Sequence, residues 1–421
     1  MELNRRTLGK LAVATGATAA AGTGVGYTVS RSADAATTWK TTGTAVAALA
    51  GFDNQMKAFM QARGVTGGQL AVTYKGRLVL ARGYSTSTAL DVQPTSLFRI
   101  ASLTKSFTAA AIVKLVQDGK LDLATPVVNL LDIKPATGLT RDSRWSTITL
   151  WKLLQHLGGW DRDVSGDPTS KDATISRTLG VPMELQHADV IKYMAGQKLD
   201  FTPGTKVAYS NFGYLLAGRV IEKVSGLSYE NYVQQKLLTP LGIKRMAQGW
   251  SVAKHTGEVP YESQYSGPTV LDMTGKTVPS PYGTFSLRIH DANGGWIASA
   301  PDLVRWAKLF DAPGSIFNST SLSRFWSKPS TGVNPDGWYY GLGWQVRPVT
   351  GGTGRNTWHT GSLPGTSTII VRTNTGLSWA ALFNRRDDPS GKSYGDIDAA
   401  LWTAANGVRT WPTTDLFPKY F

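Results

Sequence analysis

Three short stretches of this 421-residue chain carry side chains that could act together on a carbonyl. The first is Phe98-Arg99-Ile100-Ala101-Ser102-Leu103-Thr104-Lys105-Ser106-Phe107-Thr108. Its Ser102 and Lys105 are three apart, which on a helix sets their Cβ atoms roughly 5–6 Å from each other on one face. A serine hydroxyl is a weak nucleophile until a base takes its proton. A lysine can be that base if burial or a nearby cation lowers its pKa. The second stretch is Tyr209-Ser210-Asn211, just after Thr202-Pro203-Gly204, and it offers a phenol that could relay a proton. Beside a lysine cation its phenolate form would be favoured. The third is Trp358-His359-Thr360-Gly361-Ser362, at the end of one strand pattern and before the turn Leu363-Pro364-Gly365. An edge strand there could present backbone N–H groups, with those of Ser102 and Ser362 together forming an oxyanion hole.

Each stretch has a plainer reading when taken alone. Ser102 could cap a helix with Lys105 in solvent, Tyr209 could be a core tyrosine, and His359 a partly exposed strand residue. A second Ser-x-x-Lys, Ser251-Val252-Ala253-Lys254, reads as a polar loop because Gly249, Gly257 and Pro260 surround it and no apolar helix follows. Gly391-Lys392-Ser393-Tyr394-Gly395 matches a nucleophile elbow. The strand before it ends near Asn384, and all five histidines precede Ser393, so it reads as a surface loop.

The elements that must hold these groups are legible in outline. From Leu103 to Asp118 the pattern is apolar on nearly every side, which marks a buried helix, and Gly119 stands at its C-terminal end. Thr44–Arg63 has helical periodicity. Gln69–Tyr74 and Leu78–Tyr84 read as strands joined through Lys75-Gly76-Arg77. Helices are expected at Thr149–His156, Ala188–Gln197, Ser210–Ser225 and Tyr229–Leu238, with Ser228 capping the last. Residues 239–284, rich in Gly, Pro and Ser, read as a long loop region facing the substrate. Ser299 and Pro301 open a helix that runs to about Phe310. Strands are expected at Tyr339–Arg347, Asn356–His359, Thr366–Arg372 and Leu377–Asn384, and a closing helix at Asp396–Asn406. Strands flanking a helical middle argue for an α/β (α+β) fold. One antiparallel sheet is built from both chain ends, residues 36–121 and 285–421, flanked by helices, with a mostly helical lobe, 122–284, inserted. Trp160, Trp250, Trp296 and Trp338 are candidates for an aromatic-walled cleft.

Composition narrows the function classes. The apolar share is 41% and the charged share 17%, as in ordinary globular chains. The absence of cysteine excludes disulfides, cysteine nucleophiles and thiolate metal sites. No His/Asp/Glu cluster has metal spacing and no glycine-rich loop suits a phosphate. A formal charge of +15 attracts anionic polymers, but the basic residues are dispersed, which favours solubility and a cell-wall polymer as partner over nucleic acid. Residues 1–35 read as a twin-arginine export leader. Arg5-Arg6 precede a mildly apolar stretch, Leu11 to Tyr27, and the small-x-small site Ala33-Asp34-Ala35. Cleavage there would leave a secreted bacterial protein without a stable membrane anchor.

In order and spacing the three motifs resemble those of the penicillin-recognising serine hydrolases: class C-type β-lactamases, D-alanyl-D-alanine carboxypeptidases, D-aminopeptidases and related esterases. The matching positions are Ser102/Lys105, Tyr209/Asn211 and His359/Thr360/Gly361, and the resemblance spans roughly residues 45–410. It implies a β-lactamase/DD-peptidase-like fold and a two-step reaction without cofactor or metal. Ser102 would be acylated, and water or an amine would then resolve the acyl-enzyme. Lys105 and Tyr209 would share the acid–base work, with the choice of base left open. Asn211 would hold Lys105 and bond the substrate amide. His359 and Thr360 would line the acyl-binding strand, Thr360 near a substrate carboxylate, and the Ser362 N–H would join the oxyanion hole. The implied substrates are D-amino-acid peptides, esters or β-lactams; acyl transfer and a non-catalytic penicillin- or wall-peptide-binding sensor are the alternatives. Two departures stand out. His156-Leu157-Gly158-Gly159 replaces the usual His-Thr-Ser-Gly, and His359 stands where β-lactamases of this type have lysine.

Overall fold

The computed structural model describes residues 38–86 and 89–421, so the leader read in 1–35 lies outside the described residues. Lys75 and Gly76 both take positive φ, 48° and 77°. That is the geometry of a two-residue hairpin turn, and it joins the strands Gly67–Tyr74 and Arg77–Ser85 with Tyr74 opposite Arg77. The hairpin is continued by strands from the other end of the chain. The sheet runs Lys40–Thr42, Arg77–Ser85, Gly67–Tyr74, Leu377–Phe383, Thr366–Arg372, Arg355–Leu363, Gln345–Pro348, Tyr339–Tyr340, antiparallel throughout.

Helices cover both faces of this sheet, so its central strands read as continuous apolar runs; every residue of Leu377–Phe383 is buried. The two-residue period still sorts side chains between two cores. Leu70, Val72, Trp379 and Ala381 face the helices Ala50–Gln61 and Asp396–Asn406. Ala71, Ala380 and Leu382 share a core with the helices Thr104–Gln117, Ala300–Lys308 and Asn211–Ser225. The helix Asn211–Ser225 packs on Thr104–Gln117. Ser210 caps it, accepting from Gly213 N at 3.3 Å, and Gly226 ends it in the left-handed region. Among the described residues no helix is long and apolar enough to cross a membrane.

Several elements differ from the sequence expectation. Tyr339–Arg347 is not one strand: it divides into Tyr339–Tyr340 and Gln345–Pro348. Gly343 between them has φ +73°, and a Cβ there would stand 2.7 Å from the Lys105 carbonyl oxygen, so the chain leaves the sheet to lie on the serine helix. The strand expected at Asn356–His359 extends over Arg355–Leu363. Trp296–Ala298 is a strand, pairing with Phe98–Arg99 and Ala247–Gln248; strands so short leave no periodicity to read. The 239–284 region contains the small hairpin Ser266–Pro268/Thr277–Pro279. Much of it is held by one side chain from outside. The buried Arg99 guanidinium donates to Pro281 O at 2.6 Å and to Trp250 O at 2.8 Å, and stacks 4.4 Å from the Tyr261 ring centroid.

Candidate active site

Ser102 sits in a single 3₁₀ turn, Ala101–Leu103, that leads into the helix Thr104–Gln117. Ala101 adopts φ +48°, a strained value for a residue with a Cβ, and the neighbouring backbone is pinned on both sides. Thr366 Oγ1 donates to Arg99 O at 2.7 Å, Thr368 Oγ1 to Ile100 O at 3.0 Å, and Ile100 N to Trp296 O at 2.9 Å. Ser102 itself is half-buried and reachable.

Lys105 is wholly buried one turn on. Its Nζ lies 3.2 Å from Ser102 Oγ, 2.7 Å from Asn211 Oδ1 and 2.7 Å from the backbone oxygen of Asn293. Burial holds its pKa well below the ordinary lysine value. A nearby carboxylate, Asp167, opposes that shift and the Arg162 guanidinium adds to it. A neutral amine has two N–H donors and one lone pair. With two carbonyl oxygens at 2.7 Å taking the hydrogens, the lone pair is left for the Ser102 hydroxyl.

The Tyr209 ring lies 4.8 Å from Lys105 Nζ, and its phenol interacts with Ser102. Here the sequence expectation is corrected. Burial raises the Tyr209 pKa, outweighing the Ser102 hydrogen bond and the Arg162 charge, so the group is a phenol and not a phenolate. The Arg162 guanidinium is 4.9 Å from the centre of the same ring.

The strand Arg355–Leu363 closes the site. Its pairing with Gln345–Pro348 stops at Trp358, so residues 359–363 run on past that neighbour beside the Ala101–Leu103 turn. Gly361 is what permits the approach. A Cβ there would lie 2.3 Å from Ile100 O and 2.3 Å from Thr368 Oγ1. Side chains alternate: Thr360 and Ser362 are exposed, His359 and Gly361 buried. His359 is thus not the partly exposed residue of the plain reading. Its Nε2 is 2.8 Å from Tyr340 Oη and its Nδ1 2.7 Å from Thr360 O, and its ring centre is 6.4 Å from that of Tyr209. Burial, the largest cause, pushes its pKa down to about 3.

All eight residues singled out in the sequence lie on the three segments that meet here: Ser102 and Lys105, Tyr209 and Asn211, His359 to Ser362. The alternative serines do not join them. Ser251 Oγ accepts from Leu287 N in a loop, and Ser393 is exposed beside Arg63. Trp160 and Trp296 belong to the core, while Trp250 is exposed and stacks on His255. Four further contributors are not legible as site residues in the sequence. The Asn293 carbonyl is a backbone atom and has no residue-type signature. Tyr340 lay inside the strand that proved to be split. Asp167 is one acid in a polar loop. His156 was visible only as part of a departure from the family pattern; its buried ring lies 4.3 Å from those of both Tyr209 and Tyr340, with Nδ1 accepting from Ser210 N at 3.1 Å. Among the described residues no cluster of three His, Asp or Glu side chains could hold a metal ion.

Comparison with known proteins agrees with this geometry. Residues 52–401 match the protein family described as Beta-lactamase. Protein flp of Staphylococcus aureus (strain N315) is 27% identical over 314 residues, covering 73% of this chain and 57% of that protein. Penicillin-binding protein 4 of Amycolatopsis lactamdurans is 30% identical over 258 residues, 58% of this chain and 59% of the other. The matches thus span little more than half the length of these relatives. Among solved structures, the octameric penicillin-binding protein homologue from Pyrococcus abyssi superposes with a TM-score of 0.62 at 26% identity, covering 86% of this chain and 79% of that one. The D-stereospecific amidohydrolase from Streptomyces sp. shares the fold, with a TM-score of 0.63 at 24% identity over 84% of this chain and 98% of that one.

Proposed function

The chain belongs to the β-lactamase family of penicillin-recognising serine hydrolases, and from that premise we propose that it hydrolyses D-amino-acid peptides through an acyl-serine intermediate on Ser102. The observation that carries the reading is the set of contacts around Lys105. Its buried amine, whose pKa is held well below the ordinary lysine value, meets two carbonyl oxygens at 2.7 Å and Ser102 Oγ at 3.2 Å.

In this mechanism the Lys105 lone pair takes the Ser102 proton as Oγ attacks the substrate carbonyl carbon. The oxyanion is received by the backbone N–H groups of Ser102 and Ser362. Tyr209, kept protonated by burial, gives its proton to the departing amine or alkoxide and recovers one from the Lys105 ammonium. Water then adds to the acyl carbon by the same path in reverse, and Ser102 leaves with its proton restored. Positioned proton transfer of this kind contributes about 10²–10⁴-fold.

The preference for a D-peptide over a β-lactam rests on the third motif. Where β-lactamases of this type have a lysine cation, this chain has His359, an uncharged ring held at a pKa of about 3. A short-chain ester is the second reading, since the exposed Thr360 and Ser362 demand no charge of the substrate. Secretion by the twin-arginine route rests on the pattern of residues 1–35, and fusing that segment to a folded reporter tests it. The activity is tested by following product from a D-Ala-D-Ala peptide, a short-chain nitrophenyl ester and a chromogenic β-lactam against protein concentration. Steady turnover, fastest on the peptide, supports the reading. A stoichiometric burst followed by silence means a sensor, and diversion of product by an added D-amino acid means a transferase.

A further inference from the structure

Asn211 touches Lys105 through its side-chain oxygen, and nothing within Asn211 itself requires that orientation. An amide presents oxygen and NH₂ groups of nearly equal size, and only its partners decide which way it faces. The partner here is Asp167. Its Oδ2 lies 2.6 Å from Asn211 Nδ2, while its Oδ1 accepts from Thr169 N at 3.0 Å and Thr169 Oγ1 at 2.7 Å. An ionised carboxylate accepts and never donates, so it can meet only the NH₂ side of the amide. The Asn211 oxygen is thereby turned to Lys105 Nζ, 2.7 Å away.

We propose that Asp167 is a positioning residue: it fixes the amide of Asn211 and through it aims the Lys105 lone pair at Ser102. With the amide reversed, an NH₂ group would face the amine. A neutral Lys105 would accept from it, and the lone pair would turn away from the Ser102 hydroxyl. Held as it is, Asn211 gives one N–H to Asp167 and keeps the other for a substrate carbonyl. Asp167 sits outside the three motifs, at the start of the short 3₁₀ turn Pro168–Ser170, which it also caps. The inference rests on the reading of Lys105 as the base.

Two substitutions separate this role from capping. Asp167→Asn keeps the shape and can still cap Thr169, but then turns its own NH₂ toward Asn211 and drives the amide to reverse. Asp167→Ser keeps a capping oxygen and imposes no orientation. On a nitrophenyl ester, Asp167→Asn is expected to lower kcat about tenfold or more, as one misdirected hydrogen bond to the base would, with KM within about twofold of wild type. Asp167→Ser is expected to fall between the two. A capping role alone predicts the opposite, with the near-isosteric asparagine as good as wild type. An Asp167→Asn enzyme with unchanged kcat overturns the proposal. Should that variant not fold, Asp167→Ser decides: a lower kcat at constant KM upholds the proposal, and an unchanged kcat overturns it. Ser102→Ala run in parallel keeps the two readings apart. If it retains turnover, the acyl-serine reading falls and this one with it; if it is inactive while Asp167→Asn is unimpaired, only the role of Asp167 falls.

Discussion

Tyr340 Oη lies 2.8 Å from Nε2 of His359, and the other ring nitrogen of His359 is engaged by the carbonyl of Thr360. A neutral ring satisfies both contacts, donating from Nδ1 and accepting at Nε2. A protonated ring would have to donate to Tyr340 as well, inside a core that already disfavours charge. The third motif of the family is therefore filled here by an uncharged residue that supports the strand from below.

That arrangement predicts a silent titration. With a pKa of about 3, His359 stays neutral across the working range. Its ring signals, followed by NMR and assigned with a His359→Gln variant, are expected not to move between pH 5 and 8. A transition near pH 6.5 would contradict the assignment of a neutral ring.

Lys105 sets the acidic limb of the rate. Its folded pKa is lowered from the ordinary value, mainly by burial, and the protonated form has no lone pair for Ser102. Acylation is thus low at acid pH and rises as pH passes through that depressed pKa, reaching its plateau well before the usual lysine pKa of about 10.4. Lys105→Arg, charged at every accessible pH, is expected to lose about 10²–10⁴-fold in kcat/KM with its fold intact by circular dichroism. A pH profile that rises only near 10 would remove Lys105 as the base.

Gly361 tests the closeness of strand and turn. Adding one methyl group places an atom 2.3 Å from Ile100 O, so the strand must retreat from the Ala101–Leu103 turn. Gly361→Ala is expected to lower ester turnover about 10²-fold, the typical effect of losing one oxyanion donor. Gly314→Ala, where a Cβ meets nothing within 4 Å, serves as the control and is expected to match wild type. Equal rates for the two variants would show that the strand edge takes no part.

Asp398, far from the site on the closing helix, predicts a slope in stability. Burial raises its pKa to about 7 against the pull of the Arg347 guanidinium and a Trp402 hydrogen bond. The folded protein therefore keeps a proton that the unfolded chain, titrating near 3.9, has released. The stabilisation is complete below the unfolded pKa and declines by about 1.4 kcal/mol per pH unit as pH rises toward the folded one. Asp398→Asn cannot ionise. Its melting temperature should match wild type near pH 4 and exceed it increasingly up to pH 7. A constant difference across that range would contradict the raised pKa.

What could be read from the sequence follows physical lines. Thr366–Arg372 and Asp396–Asn406 fall where the pattern put them, since each is long enough to show its period and is bounded by turn residues. The serine helix was legible because it is apolar all round, and it is buried along nearly its whole length. Legibility failed where a long-range contact overrides local pattern. Gly343 lifts the chain off the sheet to lie on Lys105 and Ser106, and the guanidinium of Arg99 organises loops about 150–180 residues away from it, a reach that no local window can register. The site divides in the same way. Ser102, Lys105, Tyr209 and His359 announce themselves by residue type and spacing. The Asn293 carbonyl and the Asp167 carboxylate act through position alone, and only the folded chain brings them to Lys105 and Asn211.

The most direct test is the mass of the protein after brief mixing with penicillin or an activated ester, followed by peptide mapping. The account predicts one acyl group per chain, on the peptide that carries Ser102, and none on the Ser102→Ala variant. Acylation of Ser251 or Ser393 instead, or an unlabelled Ser102 in a protein that still turns substrate over, would contradict it.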